Sequence, residues 1–137
     1  MRMDKFFHFS HFSLFPERTS AMIKFQNKKG CIFVSDAALS NITGAAATSC
    51  FGVKGMAYRS KTDGFVHLLR REAMDKGVRI TQLGDNEISI ELHIIVEHGV
   101  NISAVCRSII SQVRYLVSEN TGVTVRDVNV CVDSMTA

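Results

Sequence analysis

This 137-residue sequence contains a single proline, Pro16, and no tryptophan. It has no run of about 18 apolar residues, so no segment is predicted to cross a membrane as a helix. Charged residues make up only 21% of the chain, and a net charge of +3 is too small to indicate a nucleic-acid partner by itself. The length predicts one domain with one modest hydrophobic core.

The cysteines lack the spacing of a metal site or a redox motif. They are Cys31, Cys50, Cys106 and Cys131, and no C-x-x-C pair occurs. Each lies in an apolar segment, which favours reduced, half-buried thiols over disulfides and indicates a cytoplasmic protein. These spacings predict no cofactor and no metal site.

Residues 1–21 differ in composition from the rest of the chain. Five of the nine phenylalanines occur there, interleaved with His8 and His11. We expect a disordered extension or translated upstream sequence, with Met22 as the authentic start. A secretory signal, contact with a membrane surface and a peptide for a partner protein stay open as alternatives. The two histidines are too few ligands to predict a metal site.

Four Gly-Val dipeptides mark predicted element boundaries, and they begin at Gly52, Gly77, Gly99 and Gly122. All except Gly99 follow helical spacing and precede β-branched residues. Such a glycine is predicted to end a helix, and the valine after it to begin a strand. Gly99 is predicted to connect a strand to the longest helix. The alternation predicts an α/β domain over residues 22–137.

Hydrophobic periodicity predicts three helices and five strands. The helices cover about 36–50, 62–75 and 102–119, and the strands cover 23–34 (interrupted by a turn), 53–58, 78–83, 87–97 and 123–133. Ser35 and Asn101 have the side chains and positions of helix N-caps. The apolar residues of the last strand change phase near Arg126 and Asp127, which predicts a bulge there.

The longest helix would span roughly 27 Å, enough to return the chain to the start of the preceding strand. Strand, helix and strand therefore predict a right-handed βαβ crossover with two parallel strands. The predicted fold is an α/β (α+β) two-layer sandwich, with a small mixed sheet and helices on one face. The second face is predicted to be semi-polar, and it would carry Ser89, Glu91, His93, Ile95, Asn129 and Cys131.

The order of these segments resembles the alkaline shock protein family of Gram-positive bacteria, also called general stress proteins. The resemblance runs from about residue 30 to residue 135 and is strongest over 87–133. Its signatures are Ala45-Ala46, Gly52-Val53-Lys54-Gly55-Met56, Lys76-Gly77-Val78, His98-Gly99-Val100-Asn101-Ile102, Thr121-Gly122-Val123-Thr124-Val125 and Val128-Asn129-Val130-Cys131-Val132. They are turn and packing signatures, specific together rather than one by one.

The resemblance implies a non-enzymatic cytoplasmic protein of cell-envelope stress and homeostasis. It also implies self-association into a homo-oligomer and a membrane-anchored protein partner that holds the chain at the membrane periphery. The family has no agreed catalytic residues, so none is assigned. This sequence differs from typical members in being less acidic and in its phenylalanine-rich start.

The residues themselves favour an assembly protein over an enzyme. No Ser/His/Asp order, nucleophile elbow, phosphate loop or metal-spaced cluster occurs, so we predict no catalytic, cofactor-binding or metal-binding residue. A one-sided sheet whose last strand is an edge pairs with other chains unless that edge is blocked. Self-association and protein partners are therefore the predicted mode of action.

The alternative prediction is a nucleic-acid-binding module. Residues 52–55 form a G-x-x-G, the loop with which KH domains clamp a nucleic-acid backbone. The candidate residues are Gly52, Lys54, Gly55, Arg59 and Lys61. Two features weigh against it: KH loops join two helices, whereas this segment is predicted to open a strand, and Tyr58 is the only nearby stacking aromatic. The sequence therefore does not favour nucleic acid as a partner.

Overall fold

The computed structural model describes residues 22–59, 66–69 and 76–136. Within them the chain forms two helices, a two-stranded sheet and a five-stranded mixed sheet. The elements are β1 (Met22–Asn27), β2 (Gly30–Ser35), α1 (Asp36–Thr48), β3 (Val53–Arg59), β4 (Val66–Leu68), β5 (Val78–Gly84), β6 (Glu87–Glu97), α2 (Ile102–Thr121) and β7 (Thr124–Thr136). This α+β sandwich confirms the predicted fold class.

Strand β6 is the centre of the larger sheet. On one side it pairs with β7, in parallel, from Glu87 to Glu97. On its other side β5 pairs antiparallel with the first half of β6, and β3 pairs antiparallel with the second half. The short strand β4 extends the sheet beyond β3. The predicted parallel crossover between the last two strands is confirmed.

Helix α2 makes that crossover and covers the apolar face of β6. Asn101 caps its start, where the side-chain oxygen accepts a hydrogen bond from the Ala104 N–H at 3.1 Å. Gly122 ends it in the left-handed conformation, with φ of 74°. The buried stripe of the helix consists of Val105, Ile109, Val113 and Val117, four residues apart. It packs on Ile88, Ile90, Leu92, Ile94 and Val96, which are fully buried.

Helix α1 completes the helical layer. Ser35 caps it as predicted, because its hydroxyl accepts a hydrogen bond from the Ala38 N–H at 3.2 Å. The buried face includes Gly44, Ala46 and Ala47. Small side chains let this helix lie close to both α2 and the sheet. It ends at Thr48, slightly before the predicted end.

The predicted helix over 62–75 is wrong where the structure describes it. Residues 66–68 form β4, which pairs antiparallel with β3 through Ala57↔Leu68 and Tyr58↔His67. The glycine at position 55 leaves space that Leu68 fills, since a Cβ there would lie 2.8 Å from Leu68 Cδ1. Pairing with an adjacent strand therefore outweighs the local helical spacing. The rest of that predicted helix lies outside the described residues.

The Gly-Val dipeptides have more varied roles than predicted. Among the helices that the structure describes, Gly122 is the one glycine of the four that serves as a C-cap. Gly52 has a positive φ of 86° but lies in a turn rather than at a helix end, whereas Gly99, with φ of 88°, lies between β6 and α2 as predicted. Gly77 has no positive φ, and it leaves room for the carbonyl oxygen of Ala57, which would lie 2.9 Å from a Cβ.

Strand β7 contains two bulges. Val125 and Asp127 both pair with β6, but Arg126 between them does not. In the same way Val132 and Ser134 pair with β6, and Asp133 between them does not. The first is the bulge predicted near residues 126–127. The second was not predicted. Between them, residues 127–132 pair without interruption along β6.

Candidate functional site

The face of the sheet opposite the helices carries a group of polar side chains, which we call the polar face. It includes Ser89, Glu91 and His93 on β6 and Asn129, Cys131 and Asp133 on β7, and Arg79 of β5 is paired with Glu91 beside them. Alternate residues of a strand share a face. The parallel register then places Glu91 beside Asn129 and His93 beside Cys131. Ile95 was predicted on this face, but it is only 4% exposed.

His93 is the centre of the contacts on the polar face. Its Nδ1 lies 3.0 Å from Asp133 Oδ2, and its Nε2 lies 3.1 Å from Glu91 Oε1. The side chains of His93 and Glu91 are 35% and 39% exposed, whereas that of Asp133 is 13% exposed. One imidazole thus joins carboxylates from two strands, at the level of the second β7 bulge.

Cys131 lies against the same group. Burial raises the pKa of the Cys131 thiol, and the negative charges of Glu91 and Asp133 raise it further. The ligand atoms of Glu91, His93 and Cys131 all lie within 4.8 Å of one another. Carboxylate oxygen, imidazole nitrogen and sulfur are three donor types that bind metal ions.

The outer edge of β7 is the second functional feature. β7 is 13 residues long and pairs only with β6 among the described residues. An unpaired edge presents a row of N–H and C=O groups to another strand. Both bulges interrupt this edge, so the regular part is residues 127–132, about 20 Å long.

Residues 52–55 of the predicted nucleic-acid site form a turn and the start of β3. Gly52 is buried in a turn, where a Cβ would lie 3.0 Å from Val105 Cγ2 and 3.1 Å from Val100 Cγ1. Gly55 is buried within β3. Lys54 is exposed, and it lies at a bulge between the paired residues Val53 and Gly55.

Two of the predicted nucleic-acid residues follow the G-x-x-G. Arg59 is the last residue of β3, and Lys61 lies outside the described residues. A backbone clamp needs an accessible G-x-x-G loop. In this chain both of its glycines are buried by neighbouring elements.

The cluster on the polar face was missed by sequence reasoning. Its members come from two strands about 40 residues apart, so no local spacing indicates them. A signal was present, however: Glu91, His93, Asn129 and Cys131 had been placed on one semi-polar face, and parallel strands had been predicted. Only the register, which depends on the bulges, was missing.

The comparisons with known proteins give the family. The profile of the alkaline shock protein 23 family, described as having a cell envelope-related function, matches residues 24–137. The chain belongs to the alkaline shock protein 23 family. This confirms the resemblance seen in the turn and packing signatures, and with it the cell envelope-related function at the level of the family.

Two curated relatives of this alkaline shock family chain are bacterial proteins described as uncharacterized. YloU of Bacillus subtilis (strain 168) is 34% identical over 114 residues, which cover 82% of this chain and 94% of YloU. Spy1614 of Streptococcus pyogenes serotype M6 is 36% identical over 114 residues, which cover 82% of this chain and 93% of that protein.

Solved structures resemble the fold more distantly. A nickel form of MamM CTD has a TM-score of 0.43 and 16% identity, and it matches 71% of this chain and 95% of its own. A cadmium form has the same TM-score and 18% identity, with 71% of this chain and 94% of its own matched. Among the described residues of the alkaline shock domain, no helix has the length and apolar character that a membrane crossing requires.

Proposed function

We propose that this chain is a non-enzymatic protein of cell-envelope homeostasis and stress response that acts by self-association through the edge of β7. The single observation that carries the proposal is that β7 pairs on one side only among the described residues. Two copies related by a two-fold axis would pair residues 127–132 antiparallel and close a symmetric dimer. That pairing would continue the five-stranded sheet across the dimer.

The chemistry of the described surface supports a role without catalysis. A depression of about 340 Å³ lies at the β1–β2 hairpin. Its lining consists of Phe25, Gln26, Asn27, Lys29, Gly30, Cys31 and Ile32, and contains no histidine and no carboxylate. General acid–base catalysis most often uses a histidine or a carboxylate, and the groups of this lining that could replace them are the less common Lys29 and Cys31. The acid and base groups of the polar face instead lie on an open sheet surface.

Sedimentation velocity over a wide range of protein concentrations tests self-association. We expect the wild-type chain to form a dimer or larger assembly at high concentration. Asn129 is exposed on the regular part of β7, so Asn129→Lys adds a charge where two copies would meet. We expect it to weaken association about tenfold, because like charges oppose each other across a paired edge.

The matched control is Gln112→Lys, which adds the same charge on the exposed side of α2. We expect this variant to associate like the wild type. A wild-type chain that is monomeric at the highest concentration contradicts the proposal. Equal weakening by both substitutions also contradicts it, because the effect would then come from net charge rather than from the β7 edge.

The proposed location is the cytoplasmic side of the membrane, through a membrane-anchored protein partner. The family's cell envelope-related function supports this. We expect the purified chain to bind native membrane vesicles and to lose that binding when surface proteins of the vesicles are digested. Protein-free vesicles of the same lipids are the control. Binding to them, or failure to bind native membranes, contradicts the proposal.

A further inference from the structure

His93 lies between two carboxylates that come from different strands. Both ring nitrogens lie within hydrogen-bond distance of a carboxylate oxygen. A neutral imidazole has one N–H and one lone pair, so it donates to only one of these groups. If Nδ1 donates to Asp133, the lone pair of Nε2 faces Glu91 Oε1, and a proton on Nε2 or a metal ion bound by both atoms would satisfy this contact.

We propose that Glu91, His93 and Cys131 bind one divalent transition-metal ion of the zinc type, and that Asp133 positions the His93 ring. The ligating atoms would be a carboxylate oxygen, Nε2 and the thiolate sulfur. Binding releases the Cys131 thiol proton to solvent, as for other thiolate sites. This proposal does not depend on self-association, because all four residues belong to one chain.

The distances suit a tetrahedral ion with little movement. Donor atoms around zinc lie about 3.3–3.6 Å apart, given metal–ligand bonds of about 2.0–2.3 Å. The contact of 3.1 Å between His93 Nε2 and Glu91 Oε1 already approximates one such edge. The sulfur of Cys131 lies within 4.8 Å of both. The partial exposure of His93 and Glu91 leaves them free to close the remaining gap.

Asp133 supplies the second contact that histidine ligands usually have. A carboxylate on the other ring nitrogen fixes the tautomer and the ring orientation of a metal-binding histidine. Asp133 does this through Nδ1 at 3.0 Å, and its side chain is 13% exposed. The bulge that places Asp133 outside the register thereby has a function.

The donor set selects the class of metal. A thiolate with imidazole disfavours Ca²⁺ and Mg²⁺, which prefer oxygen ligands, and favours Zn²⁺ or Co²⁺. Three protein ligands on a half-exposed surface leave one coordination position for water or another ligand.

Titration of the reduced full-length chain with Co²⁺ tests the site. We expect a thiolate-to-cobalt charge-transfer band in the near ultraviolet that saturates at one ion per chain and disappears when Zn²⁺ is added. The pair His8 and His11 cannot produce this band, because neither supplies a thiolate. Absence of the band in the wild type overturns the proposal.

Matched substitutions locate the site. We expect Cys131→Ser to abolish the band, and Cys31→Ser, at an exposed cysteine, to leave it unchanged. Loss of a group that only supports a metal ligand weakens binding by up to roughly 100-fold. His93→Asn removes a ligand and should weaken Zn²⁺ binding by more than that, whereas His98→Asn should leave the affinity unchanged. If Cys131→Ser retains the band and Cys31→Ser loses it, the assignment is wrong.

Asp133→Asn separates positioning from ligation. We expect this variant to keep the charge-transfer band but to bind Zn²⁺ about 10–100-fold more weakly, the range for loss of a carboxylate behind a histidine ligand. Circular dichroism checks that each variant folds, and Glu91→Gln, with nearly unchanged volume, is the third ligand variant. Unchanged affinity in both Asp133→Asn and Glu91→Gln overturns the proposed roles.

Discussion

The two faces of β6 are built from alternate residues of one strand, yet their surroundings are opposite. Ile88, Ile90 and Leu92 are fully buried beneath the helices. The residues between them, Ser89 and Glu91, are only partly buried on the polar face. The comparison separates two tasks: the face beneath the helices stabilises the fold, and the polar face is free to carry donor atoms for binding.

The largest expected effect comes from shortening a side chain on the buried face. Ile90→Ala removes a fully buried side chain, and we expect the free energy of unfolding to fall by about 2–5 kcal/mol. Ser89→Ala, one residue earlier on the polar face, should change it by less than about 0.5 kcal/mol. Urea unfolding measures both. Equal effects would break the distinction between the two faces.

A smaller effect is expected where the helical layer meets a turn. Gly52→Ala would force a positive φ of 86° on alanine and place its Cβ 3.0 Å from Val105 Cγ2. We expect a loss of about 2 kcal/mol, from the left-handed conformation and from crowding. Gly84→Ala is the control, because no heavy atom lies within 4 Å of its added Cβ. Thermal unfolding of the two variants should differ clearly, and similar values would contradict the packing described.

One buried hydroxyl group in the helical layer is expected to lower the stability of the fold. Thr43 of α1 is fully buried, and its hydroxyl has no hydrogen-bond partner among the described residues. We expect Thr43→Val to stabilise the chain by about 1 kcal/mol, since an unsatisfied buried hydroxyl is removed. Thr48→Val serves as the control, because the Thr48 hydroxyl donates to the Gly44 carbonyl at 2.8 Å. Urea unfolding in which Thr43→Val loses stability would contradict this.

The smallest expected effect is a difference in reactivity between the cysteine thiols. Burial raises the pKa of the Cys106 thiol above the ordinary value of 9.0, whereas Cys31 is exposed on the hairpin. Iodoacetamide should therefore label Cys31 first and Cys106 more slowly, because burial hinders formation of the reactive Cys106 thiolate. Peptide mapping by mass spectrometry measures the order. Equal labelling rates in the folded chain would contradict the burial.

The same shift makes stability depend on pH. An unfolded Cys106 ionises near its ordinary pKa, whereas the folded thiol stays neutral to a higher pH. Its contribution to stability is therefore complete below about pH 9 and is lost as the pH rises through the raised value. Cys50 shifts in the same direction because of burial. The difference between the unfolding midpoints of the wild type and Cys106→Ala should therefore shrink as the pH rises through the raised pKa of Cys106.

Most of the fold was accessible from the sequence because its signals are local. Ser35 and Asn101 are side chains that bond the first free N–H groups of a helix, and both were correctly predicted as caps. The period-two pattern of residues 87–97 identified the central strand and its two faces. The helix predicted over 62–75 failed at residues 66–68, where pairing with β3 decides the structure, and no local signal contains that pairing.

By itself, the sequence determined which residues face the helices and which do not, because strand and helix periods are properties of neighbouring residues. The tertiary structure decided which polar residues meet. The parallel crossover and the two β7 bulges bring His93 to Cys131 and Asp133. Register is a relation between strands far apart in the chain, so the cluster on the polar face exists only once the sheet is assembled.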